Sequence, residues 1–487
     1  MLTENAFIEL AYSLVRIRDL DELLGTMLTR IRNMLDADAG SIFIYDSEAD
    51  ELIFKYTQND SLDLPFNAFR MPANENSIAG FCAVRNSIIN LEDVYNLDPK
   101  FPFSFNPSFD KMSGYKTVSM LVFPINDING RLIGVLQLIN KKNDQSALIT
   151  VENAADVVIP FDQTDETTAH SLSGIVGMAL ENALLYDSIE QMWAGFIEAC
   201  MTAIDSRDPV TGGHSQRVTD YTMYTAETMS EDMEVWPDFN LSPEDLRCLK
   251  YSCMLHDFGK LVISENVLQK ANKLYPGMLE VIEFRFGIAK AMAKLAGKPE
   301  EEIEELGSLL NMVRKANVPT VLDDDTSGGL DKCLTYEFKD YDGNTHTLLT
   351  KDEYDYLSIK RGSLTNEERS IIQSHANHTF DFLIKIPWTN ELKLVPIVAA
   401  LHHERIDGKG YPFGLAGDQI HMQGRIMAVA DIFDALTAAD RPYKKAMPVE
   451  KACAILKEEA ERFALDKKVV DYFVDNALYE VVMRRED

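Results

Sequence analysis

The chain has 487 residues, too many for one ordinary domain, so two or three domains are expected. Its 47 Lys and Arg against 78 Asp and Glu give a formal charge of -31, which disfavours DNA as a partner yet leaves room for a small anion held by a local cluster of cations. The six cysteines form no C-x-x-C pair, the N-terminal charges are mixed, and no run of about 18 apolar residues occurs. These features exclude a disulfide framework, a structural zinc knuckle and a membrane span, and point to a cytoplasmic protein.

Residues 1 to about 35 carry apolar side chains at helical spacing: Phe7, Leu10, Ala11, Leu14 and Val15, then Leu24, Met27, Leu28 and Ile31. The period then changes. SIFIYD (41–46) and ELIFKYT (51–57) flank a polar turn and read as a hairpin, and TVSMLVFPI (117–125) and LIGVLQLIN (132–140) read as a second. A helix, a sheet of five or six strands and closing helices predict an α+β sensory domain over 1–185.

From 167 to 205 the pattern is again helical, with Leu172, Val176, Ala179, Ala183, Tyr186, Trp193, Ile197 and Cys200 close to a 3.5-residue beat. Such a seam is either a coiled-coil dimer interface or a stripe packed on its own domain; the former makes the chain a homodimer through this connecting helix. The remainder, 195–487, is predicted to be all-α apart from a segment over 266–360, where an acidic stretch and the hairpin LTYEFKDYDGNTHTLLT, with its Asp-Gly turn, look inserted into a helical domain. A lid, a partner-binding element and surface decoration are all open for it.

Chemistry concentrates in DPVTGGH (208–214), HDFGK (256–260), QSHANH (373–378), HHERIDGKGYP (402–412) and ADIFDALTAADRPYK (430–444). Imidazoles and carboxylates suit Fe, Mn or Zn, and two such ions can clamp a phosphodiester and activate water. His214, His256, Asp257, His375, His402, His403 and Asp431 supply seven donors. Any one of these histidines alone reads as an ordinary structural or surface residue; it is the combination, in order in one chain, that signals a metal site. His170, His346 and His421 have no such context, and His378 is a neighbour of His375 that offers a weaker alternative.

With these motifs, the segment 195–487 resembles the HD-GYP group of the HD phosphohydrolase superfamily. The resemblance implies an all-helical domain holding iron or manganese and hydrolysing cyclic di-GMP to pGpG or GMP. It implies that the seven donors are the ligands, with Asp257 bridging, that Lys260 lies near the scissile phosphate, that Gly410 and Tyr411 line the substrate pocket, and that Arg441 and Lys444 hold phosphate. Trinuclear members carry an acidic residue four positions before the first histidine; here that position is Val210, so two metals are expected. Another cyclic dinucleotide such as cyclic GMP-AMP, or a non-catalytic receptor for cyclic di-GMP, is the alternative.

Through SIAGFCAVRNSIINLEDVY (77–95), FDKMSGYKT (109–117) and GVLQLINKKN (134–143), the N-terminal segment resembles a GAF domain of the cyclic-nucleotide-binding subgroup. That subgroup's signature falls here on Asn140, Lys141, Phe161, Asp165 and Glu166, with a longer gap than usual between Lys141 and Phe161. The resemblance implies a Lys141–Asp165 ion pair that shapes the pocket and cAMP or cGMP as the ligand.

Overall fold

A break in the N-terminal helical pattern is set by Asp19, whose carboxylate accepts the Glu22 backbone N–H at 2.8 Å and so starts a second helix. The opening segment is therefore α1 (Glu4–Val15) followed by α2 (Leu20–Met34). The structure, a computed structural model, describes residues 4–62, 68–207, 213–438 and 446–484. Val210, Arg441 and Lys444 lie outside the described residues. The chain divides into two units, Met1–Ala194 and Gly195–Asp487, each described by itself.

In the first unit β1 (Ala37–Asp46), β2 (Glu51–Asn59), β3 (Phe69–Pro72), α3 (Ile78–Arg85), β4 (Ile89–Leu91), α4 (Ser108–Ser113), β5 (Met120–Asn126), β6 (Leu132–Lys142), α5 (Ala154–Val157) and β7 (Val158–Ile159) follow in order, before the long α6 (Gln163–Arg207). The strands form one antiparallel sheet of order β3-β2-β1-β6-β5-β4, with β7 pairing β6. Both predicted hairpins form, the first with Asp46 opposite Glu51. Alternate residues serve two cores. Ile42, Leu121, Phe123, Leu136 and Leu138 meet α1, α2 and the first part of α6, whereas Phe43, Val122 and Val135 meet Ile78, Cys82 and Phe103.

The 3.5-residue seam of α6 proves to be a stripe packed on its own domains. Leu172, Val176, Ala179 and Ala183 are buried in the sheet–helix core, and Ile197 and Cys200 are buried in a core of the second unit with Leu255, Leu383 and Val395. Of the seam residues, Tyr186 stays exposed. Heptad spacing states that one face is apolar; it does not state what covers that face.

The second unit is helical: α7 (His214–Glu231), α8 (Pro243–Leu255), a 3₁₀ turn (Phe258–Val262) and α9 (Glu265–Leu268), then, after an intervening segment, α14 (Asn366–Gln373), α15 (His375–Leu383), α16 (Val395–Ala400), a 3₁₀ turn (Leu401–His403), α17 (Met422–Thr437), α18 (Val449–Glu461), α19 (Lys467–Asp475) and α20 (Tyr479–Met483). Val218, Leu249, Val398, Met427, Phe433, Leu456 and Phe473 share its main core.

The intervening segment builds α10 (Met278–Leu295), α11 (Glu300–Asn317), α12 (Asp324–Thr335), the hairpin β8 (Glu337–Lys339) and β9 (Thr345–Thr347), and α13 (Lys351–Leu357) around a core of its own: Ile282, Phe286, Leu306, Val313, Leu330, Leu348 and Leu357. A buried ion pair ties its base to α14. The Lys270 ammonium donates to both Glu368 oxygens, at 2.7 and 2.8 Å, and lies 4.3 and 4.4 Å from the Tyr275 and Tyr356 ring centres. Among the described residues, no helix is long and apolar enough to cross a membrane. The six cysteines are buried and free.

Candidate metal centre

Three of the histidines are aimed by one local device. His256 follows α8, His375 follows α14, and His402 follows α16, so each sits where a helix leaves its last carbonyls without an intrahelical donor. The Nδ1 of each bonds the carbonyl three residues back: His256 to Cys253 at 2.7 Å, His375 to Ile372 at 2.7 Å, and His402 to Ala399 at 2.9 Å. Nδ1 is thereby the protonated nitrogen, and Nε2 is left as a lone-pair donor facing inward. His214, the first residue of α7, is aimed through a carboxylate instead, its Nδ1 lying 2.7 Å from Asp434 Oδ2.

All seven predicted donors come together in buried or nearly buried positions. Their ligand atoms cluster as His375, His402 and His403, as His214, His256 and Asp431, and as His256, Asp257 and His402, each group within 4.8 Å. Asp257 lies between the first two groups. Its Oδ1 is 3.4 Å from His375 Nε2, while its Oδ2 is 3.4 Å from His256 Nε2 and 3.7 Å from His214 Nε2. Asp431 Oδ1 is 3.2 Å from His214 Nε2. His378 is exposed and outside these groups, as are His170, His346 and His421.

The charge states of all but His214 suit cation binding. Burial pushes His375 and His402 below the ordinary imidazole value and brings His403 to about 4, so these rings are neutral near pH 7. Burial also works against a charged His214, but hydrogen bonds to Asp431 and Asp434 outweigh it and raise that ring to about 9. Asp257 and Asp431 stay ionised although burial opposes it: the Lys260 ammonium, 2.6 Å away, holds Asp257 well below the usual carboxylate range, and His214 does so for Asp431.

Buried carboxylates and inward lone pairs without a cation between them are costly. The Nε2 of His256 is buried and, among the described residues, has no hydrogen-bond partner. A divalent cation fits that orphaned atom and the surrounding donor set, because two carboxylates and neutral imidazoles are borderline ligands suited to first-row metals.

Several residues that position the donors escaped the motif reading. Asp434, three residues after Asp431 on α17, also accepts Arg217 Nε at 2.6 Å, so it orients His214 from a charged network. Thr379 donates to the His256 carbonyl at 2.9 Å and accepts the Gly259 N–H at 2.9 Å, locking the turn after Asp257 onto α15. A Cβ on Gly259 would fall 1.9 Å from the His375 carbonyl oxygen, which is why this turn carries glycine. Glu404 is buried, and its carboxylate accepts the backbone N–H groups of Phe413, Gly414 and Leu415 at 2.6, 3.1 and 2.9 Å. It closes the loop that lays Tyr411 with its ring centre 4.7 Å from that of His403. Gly410 has a backbone duty in this loop: a Cβ there would come within 2.6 Å of the main chain of His403, Glu404 and Arg405. The peptide bond Tyr411–Pro412 is cis.

In the first unit the five signature residues take part in three separate sets of contacts. Asn140, at φ 57°, accepts the Val118 N–H at 2.7 Å and donates to Lys116 O at 2.8 Å and the Tyr115 hydroxyl at 3.0 Å. Lys141 Nζ is 2.5 Å from Asp165 Oδ2, and Asn90 donates to Phe161 O at 3.0 Å and to Glu166 Oε1 at 2.8 Å. The long gap before Phe161 is taken up by α5 and β7, which return the chain to β6 with Ile159 opposite Lys141.

The antiparallel sheet with its helices and the helical unit with its histidine–aspartate cluster are two domains of different kinds. Comparison with known proteins gives both parts a family: residues 19–180 match the GAF domain and residues 352–469 match the HD domain, so the chain carries a GAF domain followed by an HD domain. The HD match leaves His214, His256 and Asp257 upstream. The chain is similar to 3'3'-cGAMP-specific phosphodiesterase 3 of Vibrio cholerae, with 27% identity over 290 residues, 58% of this chain and 40% of that one. It is 38% identical over 117 residues to the cyclic di-GMP phosphodiesterase response regulator RpfG of Xanthomonas campestris pv. campestris, covering 24% of this chain and 30% of the other. It is 38% identical over 118 residues to 3'3'-cGAMP-specific phosphodiesterase 1 of Vibrio cholerae, covering 24% and 26%. The chain thus spans less than two thirds of the length of these relatives.

Proposed function

We propose that the second unit is a phosphodiesterase that hydrolyses cyclic di-GMP to pGpG or GMP with two divalent cations, iron or manganese. The observation that carries this reading is the convergence of His214, His256, Asp257, His375, His402, His403 and Asp431 around the buried Nε2 of His256, which has no hydrogen-bond partner among the described residues. Asp257, with one oxygen toward each group of imidazoles, is the proposed bridge. Cations bound there would supply Lewis acidity toward the phosphodiester and an activated water.

The chain's own residues do the rest. Lys260 keeps Asp257 ionised and places a positive charge at the edge of the donor cluster, where a phosphate oxygen can meet it. Tyr411, held over His403 by the loop that Glu404 closes, offers a flat face to a base. Arg441 and Lys444 are assigned to phosphate on the family resemblance alone.

A second substrate has a specific observation in its favour: the relative matched over 58% of this chain is named for 3'3'-cGAMP. The deciding experiment is anaerobic purification, loading with Fe(II) or Mn(II) separately, and product analysis with cyclic di-GMP, 3'3'-cGAMP and cyclic mononucleotides. Turnover of cyclic di-GMP in preference to the others supports the first reading, and preference for 3'3'-cGAMP replaces it with the second. Tight binding of a cyclic dinucleotide by the metal-loaded protein with no turnover would make the domain a receptor.

For the GAF domain we propose a cyclic nucleotide, cAMP or cGMP, as ligand, supported by the signature residues Asn140, Lys141, Phe161, Asp165 and Glu166, of which Lys141 and Asp165 form the expected ion pair. Addition of neither cAMP nor cGMP changing the melting temperature of the chain would overturn it. Self-association through α6 would use its exposed Met178, Leu185, Ile189 and Met192 in place of the buried seam.

A further inference from the structure

The insertion carries a surface that neither the metal centre nor its own core explains. Helix α10 buries Ile282, Phe286, Ala289 and Ala293 in the insertion core, which accounts for one face of the helix. On another face Val281, Phe284, Ile288, Ala291 and Leu295 recur at three- and four-residue steps, the spacing of a two-helix seam. All five point to solvent: Val281, Phe284, Ile288 and Leu295 are 54%, 74%, 47% and 76% exposed. A single exposed leucine needs no explanation, but a contiguous apolar stripe along a helix of this length marks an interaction surface.

The charges beside the stripe select its occupant. Glu280 lies beside its N-terminal end and Lys294 beside its C-terminal end. A parallel copy would set acid on acid and base on base. An antiparallel copy sets Glu280 against the lysine end of its partner and opposes the two helix dipoles favourably. The stripe is also symmetric about its own middle, since Val281 and Leu295 are equally far from Ile288. Both properties are those of a self-complementary, two-fold contact.

We propose that α10 pairs antiparallel with α10 of a second copy of this chain, with Ile288 nearest the two-fold axis. The helix is already held by the insertion core, so pairing does not have to nucleate it. Covering the stripe on both copies removes on the order of 1,000 Å² of surface, the lower end of specific interfaces, so the association is one that dilution reverses. This inference stands apart from the proposed enzyme activity and from any contact through α6.

The test uses the full chain in sedimentation velocity and mild oxidation. The double substitution F284E with L295E alters two exposed side chains, and an unchanged melting temperature checks the fold. At a concentration where the wild type associates, the variant is expected to sediment at half the wild-type mass. Equal masses for the two overturn the proposal. The six native cysteines are buried, so an exposed introduced thiol is the reactive one. I288C alone is expected to form an interchain disulfide. V281C and L295C are expected to crosslink when mixed but not singly. Crosslinking of L295C with itself would signify parallel pairing and overturn the antiparallel arrangement, as would a mixture of V281C and L295C that does not crosslink.

Discussion

Replacing Asp434 with alanine tests the logic of the metal centre without touching a donor. Asp434 is 1% exposed, and its carboxylate spans His214 Nδ1 at 2.7 Å and Arg217 Nε at 2.6 Å. Its loss removes the acceptor that orients His214 and raises the basicity of its Nε2, while Asp257 and Asp431 remain. Such an orienting partner is worth about 10- to 100-fold in metal affinity, which is roughly 1.4 to 2.7 kcal/mol. The geometry adds a restriction. Asp434 serves the His214, His256 and Asp431 group, whereas His375 and His402 take their orientation from the carbonyls of Ile372 and Ala399. Calorimetric titration of the metal-free protein with Mn(II) should therefore resolve two binding events in the wild type, and D434A should weaken one of them by the stated factor and leave the other within twofold. Equal weakening of both events, or of neither, refutes the assignment of the donors to two groups.

Further outcomes follow from the same geometry. His214, raised to about 9 by Asp431 and Asp434 against the effect of burial, is protonated at pH 7.5 in the metal-free protein and must lose that proton to bind a cation; metal uptake should release close to one proton and tighten as pH rises toward 9, as read by titration in buffers of different ionisation enthalpy. G410A places a methyl group within 2.6 Å of the His403–Arg405 main chain, so it should cost about 1–3 kcal/mol of stability and lower turnover with metal content unchanged, measured by urea unfolding and metal analysis on one sample. E368Q leaves the Lys270 ammonium buried beside a neutral amide and should destabilise the second unit by about 3–5 kcal/mol. Burial opposes the ionised form of Glu368, but Lys270 and Tyr275 lower its pKa; its contribution is therefore present above the ordinary glutamate value of about 4.3 and is lost as pH falls through the lower folded value. The wild-type and E368Q melting temperatures should accordingly converge in acid.

The patterns that are local in the chain carried through to the structure. The two hairpins of the first unit, the Asp-Gly hairpin of β8 and β9 and the helical texture beyond 205 depend on side-chain period and turn chemistry over a few residues, and the forces that decide them are contained in that window. The candidate donors stood out for a related reason: imidazoles and carboxylates crowded into HDFGK and HHERIDGKGYP form an unusual pattern, and the structure brings them together. What covers an apolar stripe is a different kind of fact. The seam of α6 and the stripe of α10 have the same spacing, yet one is buried in its own domains and the other faces solvent. Likewise Asp434, Thr379 and Glu404 look like ordinary polar residues along the chain. They acquire their roles because folding brings Asp434 to His214 across 220 positions and Thr379 to Gly259 across 120. A hydrogen bond or a packed face between distant segments depends on where the whole backbone runs, and no short stretch of sequence contains that information.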